Sequence, residues 1–102
     1  MATTPVAGPA SQTPGTPGTS IVAIDANQSG GYITNPFTAA DQGLTTAEVL
    51  YVNQVTLAAT SANGTTIALQ PGQTYSIIPN TTTPVNVASI SANHKFTAVE
   101  WP

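Results

Sequence analysis

His94 is the one histidine among 102 residues, and the chain has no cysteine. An imidazole moves protons when a serine, cysteine or carboxylate is placed to be activated by it or to orient it. No such pattern flanks His94. Its place after Ser-Ala-Asn predicts a surface position, in a turn leading into the last strand. The acids are Asp25, Asp41, Glu48 and Glu100. Two carboxylates on either side of a glycosidic bond would hydrolyse it, but these four fall on separate predicted elements. Asp25-Ala-Asn27-Gln-Ser29-Gly30 matches the start of a calcium loop, with oxygen ligands at alternate positions and a glycine for the tight turn. The twelfth position would be Pro36, where a bidentate glutamate is needed, so a polar β-turn is expected instead. No catalytic, metal or cofactor-binding residue is assigned, and no enzymatic activity is expected.

The aromatic residues are Tyr32, Phe37, Tyr51, Tyr75, Phe96 and Trp101. Two or three of them on one exposed face would make a platform for sugars. In a chain this short of large side chains, Tyr51, Tyr75, Phe96 and Trp101 are expected in the core or at an interface. Three N-x-[ST] sequons, at Asn27, Asn63 and Asn80, arise readily in a chain rich in Asn, Ser and Thr. The N-terminus reads without a basic region and apolar run of the secretory kind, and no apolar run has membrane-spanning length.

Composition narrows the partners. Charged residues make up only 5% of the chain, against about 25% in ordinary soluble proteins. With one lysine and no arginine there is no phosphate-binding footprint, so nucleic acid is not an expected partner. A surface of Thr, Ser, Asn, Gln and Ala suits packing against protein, since interface cores are depleted in charge. Small domains without disulfides or metal commonly need oligomerisation or a docked partner.

The elements that would position these residues are strands. Residues 20–25 (SIVAID) are β-branched, 25–31 read as a turn, and 31–35 (GYITN) as a short extended piece. Asn35-Pro36 reads as N-cap and N1 of a short helix over 36–42, stopped by Gly43. Residues 48–60 (EVLYVNQVTLAAT) carry the strongest strand signal, with Val49, Tyr51, Val55 and Leu57 on one face and Leu50 and Val52 on the other, which argues for a central strand or for two strands broken near Asn53-Gln54. Asn63-Gly64 predicts a two-residue hairpin into 65–70, where Ile67 and Leu69 point the same way. Pro71-Gly72 is a turn into 73–79. Residues 85–91 alternate, with Val85 and Val87 inward and a bulge near 88–89. Residues 94–101 form the last strand. Short strands with turn punctuation mean an all-β domain, a small antiparallel sandwich or barrel with an extended N-terminal arm.

That arm covers 1–19 and the β domain 20–102. MATTPVAGPASQTPGTPGT holds four prolines, three glycines and five threonines and no charge. It has no apolar period, so it is expected to be disordered when free and to be ordered by a partner. Extended, it would reach on the order of 60 Å, enough to cross a neighbouring subunit. Pro5, Val6, Pro9, Pro14 and Pro17 are its expected partner-binding residues. Phe96, Val99 and Trp101 on the terminal strand are the expected oligomer contacts.

With this arm in front, LQPGQTYSI (69–77), read as a hairpin, and the terminal strand NHKFTAVEW (93–101) make the chain similar to small virion proteins of tailed bacteriophages. The type it resembles is the head decoration, or cement, protein. The resemblance implies a small β-rich protein, made in the host cytoplasm, that sits on the virion capsid surface. It also implies a homo-oligomer, commonly a trimer, that clamps neighbouring copies of the major capsid protein. No family residue maps one by one onto this chain. The alternatives are a tail, neck or fibre component of the virion, a carbohydrate-binding β-sandwich module, or a subunit of a non-viral shell or filament.

Overall fold

The structure is a computed structural model; it describes residues 4–9, 29–55, 61–79, 85–91 and 94–100. The strands are β1 (Thr4–Pro9), β2 (Gly31–Thr34), β3 (Leu50–Asn53), β4 (Ile67–Leu69), β5 (Thr74–Ile77), β6 (Asn86–Ala88) and β7 (Lys95–Glu100), with one short helix, α1 (Ala39–Gln42). They form two antiparallel sheets, ordered β1-β7-β2-β5 and β4-β3-β6. Ile33, Ile77, Phe96 and Ala98 from the first sheet meet Leu50, Val52, Leu69, Val85 and Val87 from the second in one buried core. A single core shared by two sheets is a sandwich, so the all-β expectation stands.

Register explains which residues go inside. Ile33 sits opposite Ala98 on one side and Tyr75 on the other, and cross-strand partners share a face. That row faces the core, with Tyr75 packed against its margin. The alternate row, Thr97, Thr34 and Thr74, faces outward, and the hydroxyls of Thr34 and Thr74 lie 2.8 Å apart. In the second sheet Leu50 opposes Leu69 and Val52 opposes Ile67. Leu69 is buried, while Ile67, at the end of the strand, emerges into solvent.

Several expected turns form differently. The pairing of 48–60 with 65–70 is correct, but β3 ends at Asn53 and β4 begins at Ile67, so Asn63-Gly64 does not join them as a two-residue hairpin. Polar side chains cause the break. Asn53 accepts from the Val55 N–H at 2.7 Å and donates to both Thr65 and Thr66 hydroxyls, and Asn63 accepts from the Thr65 and Thr66 N–H groups. Each Asn offers the backbone a turn in place of the ladder. The expected hairpin 69–77 is corrected too, because β4 and β5 belong to different sheets. Residues 70–73 arch between them as a type II turn, with Pro71 second, Gly72 third at φ 90°, and the Gln73 N–H donating to the Gln70 carbonyl. The bulge expected at 88–89 is the end of β6.

The helix is shorter than 36–42 and its cap is Thr38, whose Oγ1 accepts from the Asp41 N–H. Gly43 stops it as expected. At φ 73° it closes a Schellman motif, with its own N–H on the Ala40 carbonyl and the Leu44 N–H on the Ala39 carbonyl. A Cβ placed on Gly43 would lie 3.2 Å from Lys95 Cε. That side chain has room to swing away, so backbone strain decides the outcome. Gly43→Ala is expected to lower the unfolding free energy by roughly 1–3 kcal/mol, read by urea denaturation. An unchanged midpoint would show that the left-handed turn is not needed.

The N-terminal segment departs most from expectation. Thr4–Pro9 pairs with β7 of the same chain, from Thr4 opposite Glu100 to Pro9 opposite Lys95. Part of the predicted partner-bound arm is therefore an edge strand of the sandwich. The reason is backbone chemistry: a strand can be held by ladder hydrogen bonds without any core-forming period.

Candidate functional site

The densest polar cluster lies at the end of the sandwich where β2 stops, α1 turns and β7 begins. Asn35, the residue after β2, is its hub and is fully buried. Its Nδ2 donates to the carbonyls of Glu48 and Leu69, both at 2.9 Å. Its Oδ1 receives Gln42 Nε2 at 3.0 Å and lies 2.8 Å from His94 Nε2. Its backbone N–H donates to Gln73, and its carbonyl accepts from the Gly72 N–H. One side chain thus ties the arch 70–73, the strand ends and the helix together. Gln42, also fully buried, adds a bond from its Nε2 to the Pro36 carbonyl at 2.8 Å and accepts from the Glu48 N–H at 2.8 Å.

Bond directions fix the state of His94. Asn35 Nδ2 must face the two carbonyls, because only the nitrogen can donate. Oδ1 then faces His94, so His94 Nε2 carries the proton. Nδ1 is left as a buried lone pair with no partner among the described residues. Burial holds the His94 pKa below the usual histidine value, and the Glu48 carboxylate partly opposes that shift. The surface placement expected from sequence is corrected: His94 is fully buried. The turn residues that precede it suggested exposure, and no local signal reveals a partner 59 positions earlier.

This arrangement is not built for proton transfer to a nucleophile. The Ser91 hydroxyl donates to Glu48 Oε2 at 2.6 Å, and Ser89 donates to the Ser91 carbonyl. A serine–histidine pair needs that hydroxyl on an imidazole nitrogen; here one nitrogen donates to Asn35 and the other has no partner among the described residues. What the cluster does is lock an end of the sandwich.

A second polar knot joins the two sheets at the opposite end. Gln54 Nε2 donates to the Ile78 carbonyl at 2.8 Å, while its Oε1 accepts from the Ile78 N–H and the Tyr75 hydroxyl. One amide so serves both backbone groups of a residue just past β5. Burial raises the Tyr75 pKa.

The aromatic residues do not gather. Tyr32 pairs with Val99 and Ser76 on the outer face of the first sheet, Tyr75 is on the inner face, and Tyr51 is on the outer face of the second sheet. Phe37 is exposed beside Gly72. The described residues enclose no pocket and hold no group of three or more metal-ligating acids, histidines or cysteines.

Of the expected partner-binding residues, Pro5, Val6 and Pro9 lie in β1, opposite Val99, Ala98 and Lys95. Pro14, Pro17 and the oligomer-contact candidate Trp101 lie outside the described residues, as do Asp25 and Asn27 of the calcium-loop match. Phe96 is a correction: it belongs to the core at 3% exposure, because its parity on β7 matches that of Ala98. Val99 has the other parity but is also buried. Neither presents a free side chain to a second copy. Five other apolar side chains are exposed, Phe37, Val55, Ile67, Ile78 and Ile90, none of which was expected as an oligomer contact. Compared with protein-family models, with curated proteins and with solved structures, the chain matches none.

Proposed function

We propose that this chain is a structural virion protein of the head decoration type, a small neutral sandwich that packs on a shell and bridges neighbouring major capsid subunits. The observation that carries the reading is the surface. Five large apolar side chains stand exposed on a body whose described residues include only four charged ones, Asp41, Glu48, Lys95 and Glu100. Exposed apolar residues without charge around them suit a docked surface. The polar side chains best able to do chemistry are tied up in the Asn35 and Gln54 knots. A protein that binds only the assembled shell stabilises it by mass action.

The test is co-sedimentation of the purified chain with assembled tailed-phage capsid shells, with shell melting measured with and without it. Binding and a raised melting temperature are expected. Occupancy should stay constant or rise slightly from low salt to molar salt, since so few charges give no steep electrostatic term. Loss of most bound chain at moderate salt would contradict the apolar interface. Retention on tail tubes or on polysaccharide resin, with none on shells, would replace this reading with the tail or carbohydrate-binding one.

A further inference from the structure

The pairing of β1 with β7 does not depend on both strands coming from one chain. Both β1 and β2 run antiparallel to β7, so they are parallel to each other with β7 between them. Pro9 ends β1 level with Lys95, whereas Gly31 starts β2 level with Glu100. The end of β1 and the start of β2 therefore lie at opposite ends of β7 and on opposite sides of it. The 21 residues between them, 10–30, include Pro14 and Pro17, and proline makes a linker a semi-rigid spacer better suited to reaching outward than to folding back. Fully extended they reach about 70 Å, roughly twice the longest dimension of the molecule, 36 Å.

The prolines of β1 add a second constraint. In an antiparallel strand, a residue's N–H and C=O point to the same side, and the side alternates. Pro5 and Pro9 share a parity with Ala7 and have no N–H to give. The ladder to β7 is therefore suited to Thr4, Val6 and Gly8, leaving the prolines on the open edge. Such an edge accepts β7 on one side and refuses a further strand on the other. An exchanged β1 would therefore end the sheet it joins, because its outer edge does not invite a further strand.

We propose that β1 of one copy pairs with β7 of a second copy of this chain, building a homo-oligomer by strand exchange. The bonds are those already formed within the chain, so exchange sacrifices none of them. The inference deepens the oligomer part of the proposed function. Its test needs no shell, so failure to bind shells and failure to exchange are separate results.

Thr97 faces outward opposite Ala7. By the parity argument the two form a non-hydrogen-bonded pair, the closer kind and within disulfide reach. The chain has no cysteine of its own, so Ala7→Cys/Thr97→Cys gives a clean reporter. Light and heavy-isotope copies of this double variant are unfolded together, refolded, oxidised and digested. Disulfides joining position 7 of one isotope to position 97 of the other are expected in a large share of the linked peptides. Linkage only within one isotope would overturn the proposal. Should the variant fail to fold or oxidise, light scattering on the unmodified chain and on residues 10–102 decides. The full chain is expected at two or three times its 10.3 kDa mass, falling to the monomer mass on truncation. A full chain that stays monomeric from low to high micromolar concentration, or a truncated chain that keeps the oligomer, would refute exchange.

Discussion

Asn35→Ala is expected to remove about 3–5 kcal/mol of stability, a loss that few single substitutions reach. The reason is what the side chain leaves behind. Without it the Leu69 carbonyl loses the Asn35 amide donor, and His94 Nε2–H loses the acceptor that holds it. The other ring nitrogen has no partner among the described residues, so the buried imidazole would keep no hydrogen bond to any of them. Each orphaned group costs about 1–3 kcal/mol. Domains of this size hold about 5–15 kcal/mol in total, so most of the margin goes. The melting temperature should fall by more than about 12 °C, at 4–8 °C per kcal/mol. Asn35→Asp, nearly the same shape, should be no better at neutral pH, because a carboxylate oxygen would then face the two carbonyls that Nδ2 now satisfies. A drop of only a few degrees in either variant would show that Asn35 is not the hub.

Acid is expected to destabilise the domain through His94. Its folded pKa is lowered by burial, with Glu48 partly opposing the shift. The unfolded chain therefore binds the proton more readily than the folded one, and stability rises with pH. The contribution is fully present above the ordinary histidine value of about 6.5 and is lost as pH falls below it toward the folded value. For one proton the slope approaches about 1.4 kcal/mol per pH unit. Urea unfolding between about pH 8 and pH 5 would show this slope in the unmodified chain. His94→Gln, whose amide can still donate to Asn35 but cannot titrate, should flatten it. Glu48→Gln should push the His94 transition to still lower pH by removing the favourable charge. Parallel pH profiles for the unmodified chain and His94→Gln would assign the acid sensitivity elsewhere.

The legible parts of this chain were those decided by neighbours in sequence. Gly43 as a helix stop follows from the left-handed conformation that glycine alone adopts freely. Pro71-Gly72 as a turn follows from the fixed proline φ and a positive φ at the glycine. Alternation correctly placed Val85 and Val87 inside and put Leu50 and Val52 together on one face, the one that proves to be buried. The same reasoning erred where polar side chains overrode pattern. Asn53 and Asn63 bond to the backbone beside them, and β3 and β4 stop short of the two-residue hairpin that Asn63-Gly64 suggests. Asn35, read as a helix cap, is held inside by residues up to 59 positions away.

Residue types and their alternation are enough for the class of protein: all-β, nearly chargeless, without thiol chemistry or a phosphate footprint, with a proline-rich N-terminal segment. Those properties are set by residue type and by a two-residue period, which need no distant partner to express. Only the tertiary structure decided that 69–77 crosses between sheets, that His94 is buried in one tautomer, and that Thr4–Pro9 ladders onto β7. Each of these depends on pairing between segments far apart in the chain. The free energy of that pairing comes from backbone hydrogen bonds and shared burial, which every strand in this chain offers equally well to several possible neighbours.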